Sequence, residues 1–171
     1  MSNNTVRAAV EEDGEEVLRL LRELASLSNS QFRMDIDRFR RDGFGEDRKF
    51  HCLVVDSPTQ TRPKELIAVL VYIWFYSTWI GQVLYIEDIY VADGFRRQGI
   101  GSALFLEAIK IAEAKHCPRL QWMGRTWNPP ALQFYKKIHA QDMYEERGFK
   151  VFRLTKGAIR TAAEILESSK Q

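Results

Sequence analysis

The 171-residue chain is poor in the residues that build metal and disulfide scaffolds. Its two cysteines, Cys52 and Cys117, are too few for a disulfide framework and do not stand at metal-ligand spacing. Free thiols in a reducing compartment are the expected state. The three histidines, His51, His116 and His139, form no HxxxH pattern and no CxxC accompanies them, so no metal is expected. Charge of one sign is also lacking. Lys and Arg number 25 against 23 Asp and Glu, a net charge of +2, which argues against a nucleic-acid surface. The basic run Arg38, Arg40 and Arg41 reads as a solvated helix face. The polar, acidic start MSNNTVRAAVEED resembles neither a signal nor a transit peptide, and a cytoplasmic location is expected. Repeats, low-complexity tracts and interdomain linkers are absent, which favours one domain over residues 1–171.

One run lacks charge altogether, Leu66 to Ile86, over 21 residues. Its length suits a bilayer span. Its β-branched and aromatic content, the turn-like STWIGQ within it, and Glu87 and Asp88 directly after it point instead to two buried strands, so no membrane partner is expected. The chain is 45% hydrophobic and 12% aromatic, enough for a real core.

Strands are expected at Thr5–Ala9, Phe50–Val55, 66–76, 82–91, Arg119–Gly124 and, closing the sheet, Gly148–Leu154. Helices are expected from Asp13, where Asp13 and Glu16 have capping-box spacing; over Asp35–Arg41, stopped by the glycines of DGFGED; over Gly99–Lys115; after Asn128; and over Thr155–Ser169. Asn128 suits an N-cap and is followed by two prolines, which favour a helix start. This order gives a mixed α/β sheet flanked by helices. It is not the strict βα alternation of a Rossmann fold.

Between a strand and a helix lies Arg96-Arg97-Gln98-Gly99-Ile100-Gly101. Glycines let a backbone turn tightly and approach a ligand, and N–H groups at a helix start favour phosphate oxygens. Neither a Walker loop nor GxGxxG is present, and the strand before the loop is not read as opening a βαβ unit. In the strand itself, period-two alternation puts Glu87 with Tyr85 and Ile89, and Asp88 with Ile86 and Tyr90, so the two carboxylates are expected on opposite faces.

Arg96 to Gly101 resembles the Arg/Gln-x-x-Gly-x-Gly/Ala motif of the GNAT acetyltransferases. DGFGE, FHCLV, STWIG, LYIEDIYV, RRQGIGS, TWNPPALQFYK and AQD extend the resemblance to the spermidine/spermine acetyltransferase subfamily, from Val6 to about Leu154. The resemblance implies a splayed, mixed seven-stranded sheet, a homodimer, acetyl-CoA as cosubstrate, and direct acetyl transfer to a small-molecule amine. It implies cofactor contacts from Ile89, Tyr90 and Val91, from Arg96, Arg97, Gln98, Gly99, Ile100, Gly101 and Ser102, and from Asn128, Pro129, Pro130 and Ala131. Glu87 is implied as the base on the amine and Tyr135 as the acid on the coenzyme A sulfur. A phenol with a pKa near ~10 keeps its proton at neutral pH and can donate it. Substrate contacts are implied for Leu27, Ser28, Ser77, Thr78, Trp79, Glu87, Asp88, Gln121, Trp122, Met123 and Arg147.

At three places these residues lean toward the thialysine (S-aminoethylcysteine) type of the subfamily. Leu27 and Ser28 stand where polyamine enzymes carry an acid, Ser77-Thr78 replaces Asp-Pro, and Arg147 replaces a glutamate. A polyamine is a chain of cations that wants carboxylates, whereas an amino acid brings its own carboxylate, for which Arg125 or Arg147 is a partner. A polyamine acetyltransferase and a non-catalytic acetyl-CoA-binding regulator are the alternatives. Gly124 and His139 also depart from the pattern, the latter replacing a glycine after the fourth helix.

Overall fold

A computed structural model describes residues 5–59, 61 and 64–168. The chain forms two compact units, 1–123 and 124–171. The first carries the sheet: β1 (Val6–Ala8), β2 (His51–Asp56), β3 (Leu66–Ser77), β4 (Gly81–Val91) and β5 (Arg119–Trp122), in spatial order β1-β2-β3-β4-β5. The first four are antiparallel, and β4 and β5 are parallel. The uncharged run is therefore a hairpin. Among the described residues no helix is long and apolar enough to cross a membrane.

Helices α1 (Gly14–Leu27) and α2 (Ile36–Phe44) cover one face of this sheet. There Val17, Leu18, Leu20, Leu21 and Phe39 pack on Cys52, Val54, Val69, Val71 and Tyr90. Helix α3 (Ile100–Ala114) joins β4 to β5 and buries Leu104, Phe105 and Ala108. The Phe105 ring meets that of Trp122 edge-on at 5.0 Å. The strand before the glycine loop thus does open a βαβ unit, contrary to expectation, because the parallel β5 returns beside it.

Four further expectations are corrected. Seven strands are implied by the resemblance, and five stand among the described residues. Among the described residues the closing strand is not formed: 148–155 has no ladder partner there, and Phe149, Val151 and Phe152 are exposed. Apolar alternation alone does not make a strand without a neighbour to pair with. Second, a helical turn over Met143–Arg147 (α5), missed in the sequence, precedes that segment, with the Asp142 carboxylate accepting from the Tyr144 and Glu145 N–H groups. The remaining helices of the second unit are α4 (Pro129–Lys137) and α6 (Lys156–Ser168). Ser169, expected in α6, lies outside the described residues. Third, α2 runs through Gly43 to Phe44, with Gly43 against the Phe50 ring, rather than stopping at Arg41.

Fourth, the capping box at Asp13 is not made. Its buried carboxylate accepts from the Val10 N–H at 2.8 Å and pairs with Arg7 at 2.6 Å. Arg7 also holds Asp56 at 2.7 Å, tying β1 to the end of β2. Glu16 turns instead to Arg19 and to the Leu66 N–H. Burial pushes the Asp13 carboxyl up, but the Arg7 guanidinium and the Val10 N–H outweigh this and hold it below its ordinary value.

Three helices end in the same way without glycine. Asn29, His116 and His139 have φ of 48°, 52° and 56°. After each, the chain closes a Schellman pair: Ser30 N–H to Ala25 and Asn29 N–H to Ser26; Cys117 to Ala112 and His116 to Glu113; Ala140 to Tyr135 and His139 to Lys136. His139 therefore occupies a left-handed position, which accounts for the glycine usual there.

Two outcomes follow from these local structures. A depressed carboxyl pKa stabilises the fold above its unfolded value, near 3.8, and that stability is lost as pH falls through the lower folded value. Asp13→Asn should cost about 2–3 kcal/mol at neutral pH, and the difference from wild type should shrink below about pH 4 in denaturant titrations. His116→Gly and His139→Gly should each raise the melting temperature by about 2–4 °C, from relief of roughly 1 kcal/mol of left-handed strain.

Candidate active site

Strands β3 and β4 pair Val71 with Asp88 but Tyr72 with Ile86. Glu87 is the extra residue of a β-bulge. The bulge shifts the alternation. Val83 and Tyr85 share a face with Phe75 and Ile73, and beyond the bulge Asp88 and Tyr90 share that face with Val71 and Val69. Ile89 and Val91 go to the other face with Leu84 and Ile86. The expectation that Asp88 lies with Ile86, and Glu87 with both Tyr85 and Ile89, is therefore wrong. Period two fails where one residue is inserted.

The bulge also coincides with the end of a second pairing. Strand β4 pairs with β5 from Val83 to Ile86, the last pair being Ile86 with Trp122. Among the described residues β4 has no β5 partner from Glu87 onward. The strand thus offers the backbone edge of residues 87–91 to an extended ligand, as an edge strand does. Glu87 is exposed there, and Asp88 is half-buried on the α1 side. The negative charge of Asp88 reaches Cys52, whose thiol is pushed far above its ordinary value by burial first and by Asp88 second. Cys52 is inert as a nucleophile.

This edge runs into the glycine loop. A 3₁₀ turn at Asp93–Phe95 follows β4, and α3 then starts at Ile100. Arg97 and Gly99 are both left-handed, with φ of 61° and 82°. The first intrahelical acceptor in use is the Gly99 carbonyl, which takes the Ala103 N–H at 2.9 Å. The amides of Ile100, Gly101 and Ser102 precede it and point out of the helix start, as the first-turn amides of any α-helix do. The Arg97 side chain is exposed beside them. A helix start of this kind favours phosphate oxygens. The pyrophosphate of acetyl-CoA fits it by charge and by the open backbone at Gly99, where no atom comes within 4 Å of an added Cβ.

The two arginines of the loop differ. Arg96 is engaged with protein: Nε donates to the Val91 carbonyl at 2.8 Å, Nη1 pairs with Asp93 at 2.5 Å, and the guanidinium lies 5.3 Å from the Tyr90 ring centroid.

The other expected positions are dispersed. Leu27 is the exposed last residue of α1, and the Ser28 hydroxyl donates back to the Ala25 carbonyl at 3.1 Å. Ser77, Thr78 and the exposed Trp79 sit at the β3–β4 turn, at the opposite end of β4 from Val91. An eleven-residue strand at ~3.3 Å per residue puts the turn over 30 Å from the loop. Gln121 and Trp122 lie in β5, with Met123 directly after it.

The second unit holds Tyr135, Asn128–Ala131, Arg125 and Arg147. The Asn128 side chain accepts from the Ala131 N–H at 3.4 Å and caps α4, with Pro129 and Pro130 in its first turn. Tyr135 is half-buried, its ring 5.9 Å from that of Phe134. Gly124 lies against it: an added Cβ would come within 3.1 Å of Tyr135 Cε2. A side chain at 124 would require the Tyr135 ring to shift by a few tenths of an ångström. Arg125 lies over Trp127 at 5.5 Å, and Arg147 ends α5.

The unpaired edge of β4 thus leads directly into the glycine loop and the exposed first turn of α3. Residues 15–149 match the acetyltransferase (GNAT) family. The chain belongs to the GNAT acetyltransferase family. It is 34% identical to a thialysine N-epsilon-acetyltransferase of Mus musculus over 95% of this chain and 99% of that protein. It is 37% identical to one of Bos taurus over 92% and 96%. Among solved structures, an integron cassette protein from the mobile metagenome of V. cholerae superposes with a TM-score of 0.73 at 19% identity, covering 93% of this chain and 96% of that one.

Gly99→Ala should weaken coenzyme A binding about tenfold in calorimetric titration, because an L side chain resists a φ of 82° at a cost of roughly 1–2 kcal/mol.

Proposed function

We propose that this protein is an acetyl-CoA-dependent N-acetyltransferase acting on the side-chain amine of a small amino acid such as thialysine. The observation that carries the reading is the continuous line from the Glu87 carboxylate, along the open β4 edge, to the amides of the Gly99–Ser102 helix start. The near full-length similarity to thialysine N-epsilon-acetyltransferases supports the choice of acceptor. A spermidine/spermine N(1)-acetyltransferase-like protein of Homo sapiens, 32% identical over 88% of this chain and 22% of its own length, favours a polyamine as the second reading.

Acetyl-CoA supplies the acetyl thioester. The loop from Arg97 to Ser102 holds its pyrophosphate, the edge of Ile89–Val91 receives the pantetheine arm, and Asn128–Ala131 contact its far end. Glu87 attracts the alkylammonium and takes its proton, directly or through water, so that the neutral amine can attack. The Tyr135 phenol returns a proton to the departing thiolate. Arg125 or Arg147 pairs with the substrate's α-carboxylate. We read residues 1–171 as one acetyltransferase domain, since the family match crosses from one compact unit to the other. We read the active form as a homodimer, in which the exposed Phe149, Val151 and Phe152 are covered.

Initial rates with thialysine, lysine, ornithine, spermidine and spermine should be highest on thialysine. Tyr135→Phe should lower kcat about 10²-fold or more. Arg147→Ala or Arg125→Ala should raise KM for amino acids and spare simple diamines. Highest turnover on spermidine would establish the polyamine reading. Acetyl-CoA binding without turnover of any amine would leave a regulator.

A further inference from the structure

A chain of polar contacts links α1 to the glycine loop. It begins where α1 meets the start of β3. Arg19 pairs with Glu16 at 2.8 Å and donates to the Leu66 carbonyl at 2.6 Å, while Glu16 accepts from the Leu66 N–H at 3.1 Å. Arg19 also pairs with Glu23, one helical turn on, at 2.6 Å. Glu23 then accepts from the Tyr90 hydroxyl at 3.2 Å, across 67 residues of sequence. The Tyr90 side chain is buried, and its ring carries the Arg96 guanidinium at 5.3 Å. Arg96 finally clasps the Val91 carbonyl and the Asp93 carboxylate, the two ends of the turn that leads into the loop.

Each link is of a kind that fixes orientation. The carboxylate of Glu23 is held between a guanidinium and a phenol, which restricts its rotamers. The phenol in turn fixes the ring that backs Arg96. Arg96 spans from the last residue of β4 to the first residue of the 3₁₀ turn, so its position sets the direction in which the chain leaves the sheet. The residues that follow, Arg97 to Ser102, are exposed or half-exposed but for Ile100, and have little packing of their own to fix them.

We propose that Glu23, Tyr90 and Arg96 form a brace that positions the pyrophosphate loop, and that Arg96 is a positioning residue and not itself a phosphate ligand. Phosphate charge is met by Arg97 and the helix-start amides. This assignment rests on the functional reading above and extends it to α1.

The test separates the brace from the fold and from the chemistry. Glu23→Ala, Glu23→Gln, Tyr90→Phe and wild type are assayed with acetyl-CoA and with S-acetylpantetheine, which lacks the pyrophosphate. Glu23→Ala and Tyr90→Phe should each raise KM for acetyl-CoA about three- to tenfold, and for Glu23→Ala kcat should stay within about twofold. Glu23→Gln, which keeps an acceptor for the phenol, should recover most of that loss. For Glu23→Ala, kcat/KM on S-acetylpantetheine should match wild type. Unchanged KM for acetyl-CoA in both variants, or equal loss on the two thioesters, would overturn the brace. Hydrogen exchange of the 98–103 amides is measured on the same proteins without ligand. Faster exchange in Glu23→Ala and Tyr90→Phe supports the brace, and unchanged exchange overturns it. Wild type that fails to bind coenzyme A would instead sink the functional reading, and exchange would still decide the brace.

Discussion

The site depends on one extra residue in β4. Without Glu87 as a bulge, alternation along the strand would carry Asp88 and Tyr90 to the face of Leu84 and Ile86, against α3. The insertion sends them to the α1 face instead, where Tyr90 enters the core with Val69 and Val71 and reaches Glu23. It also turns the strand just where β5 ceases to pair, so the edge that β5 leaves is presented at a new angle. A bulge increases local twist and ends pairing, which is why it can open a ligand groove within an otherwise continuous sheet. One backbone irregularity thus accompanies both the open edge and the contact that backs the loop beyond it.

Much of this was legible in the sequence, for reasons that can be named. The strands of the uncharged run, the amphipathic α3 and the Asn128 cap are local patterns, each complete within a dozen residues. The Arg-x-x-Gly-x-Gly segment is also local, since the left-handed Gly99 and the helix start are neighbours in the chain. The bulge was not legible. The apolar residues flanking Glu87-Asp88 are Tyr85 and Ile86 on one side and Ile89 and Tyr90 on the other, a pattern that fits either phase of a two-residue period. Asp13 was misread because its partner, Arg7, offers a guanidinium where the helix offers only amides, and the buried charge takes the stronger partner. The short α5 has too few residues to show any period. The extended 148–155 segment has the side chains of a strand, but pairing is a property of two segments and one sequence window shows only one.

The histidines illustrate the opposite case, where residues that look chemical are structural. His116 and His139 invite reading as proton carriers or ligands. Both sit one residue beyond a helix C-cap at positive φ, with the same two closing hydrogen bonds. Their side chains are exposed, and the backbone states the role: each ends a helix where glycine would do so with less strain. Tyr135 is packed by its ring: it sits beside Phe134, and Gly124 leaves room at its edge.

The adjacent arginines of the loop divide their work for a reason of geometry. Arg96 has extended backbone, with φ −70° and ψ 160°, which lets its side chain fold back over Tyr90 to Val91 and Asp93. Arg97 has φ 61°, so its backbone reverses direction immediately after. Two like charges on neighbouring residues repel, and both aimed at one ligand would have to be held together while that ligand is absent. Pairing the first with Asp93 and a carbonyl offsets its charge within the protein, which lowers the repulsion between the two. A left-handed arginine costs of order 1–2 kcal/mol, and here the reversal of the backbone follows directly on the residue whose guanidinium is folded back on the protein.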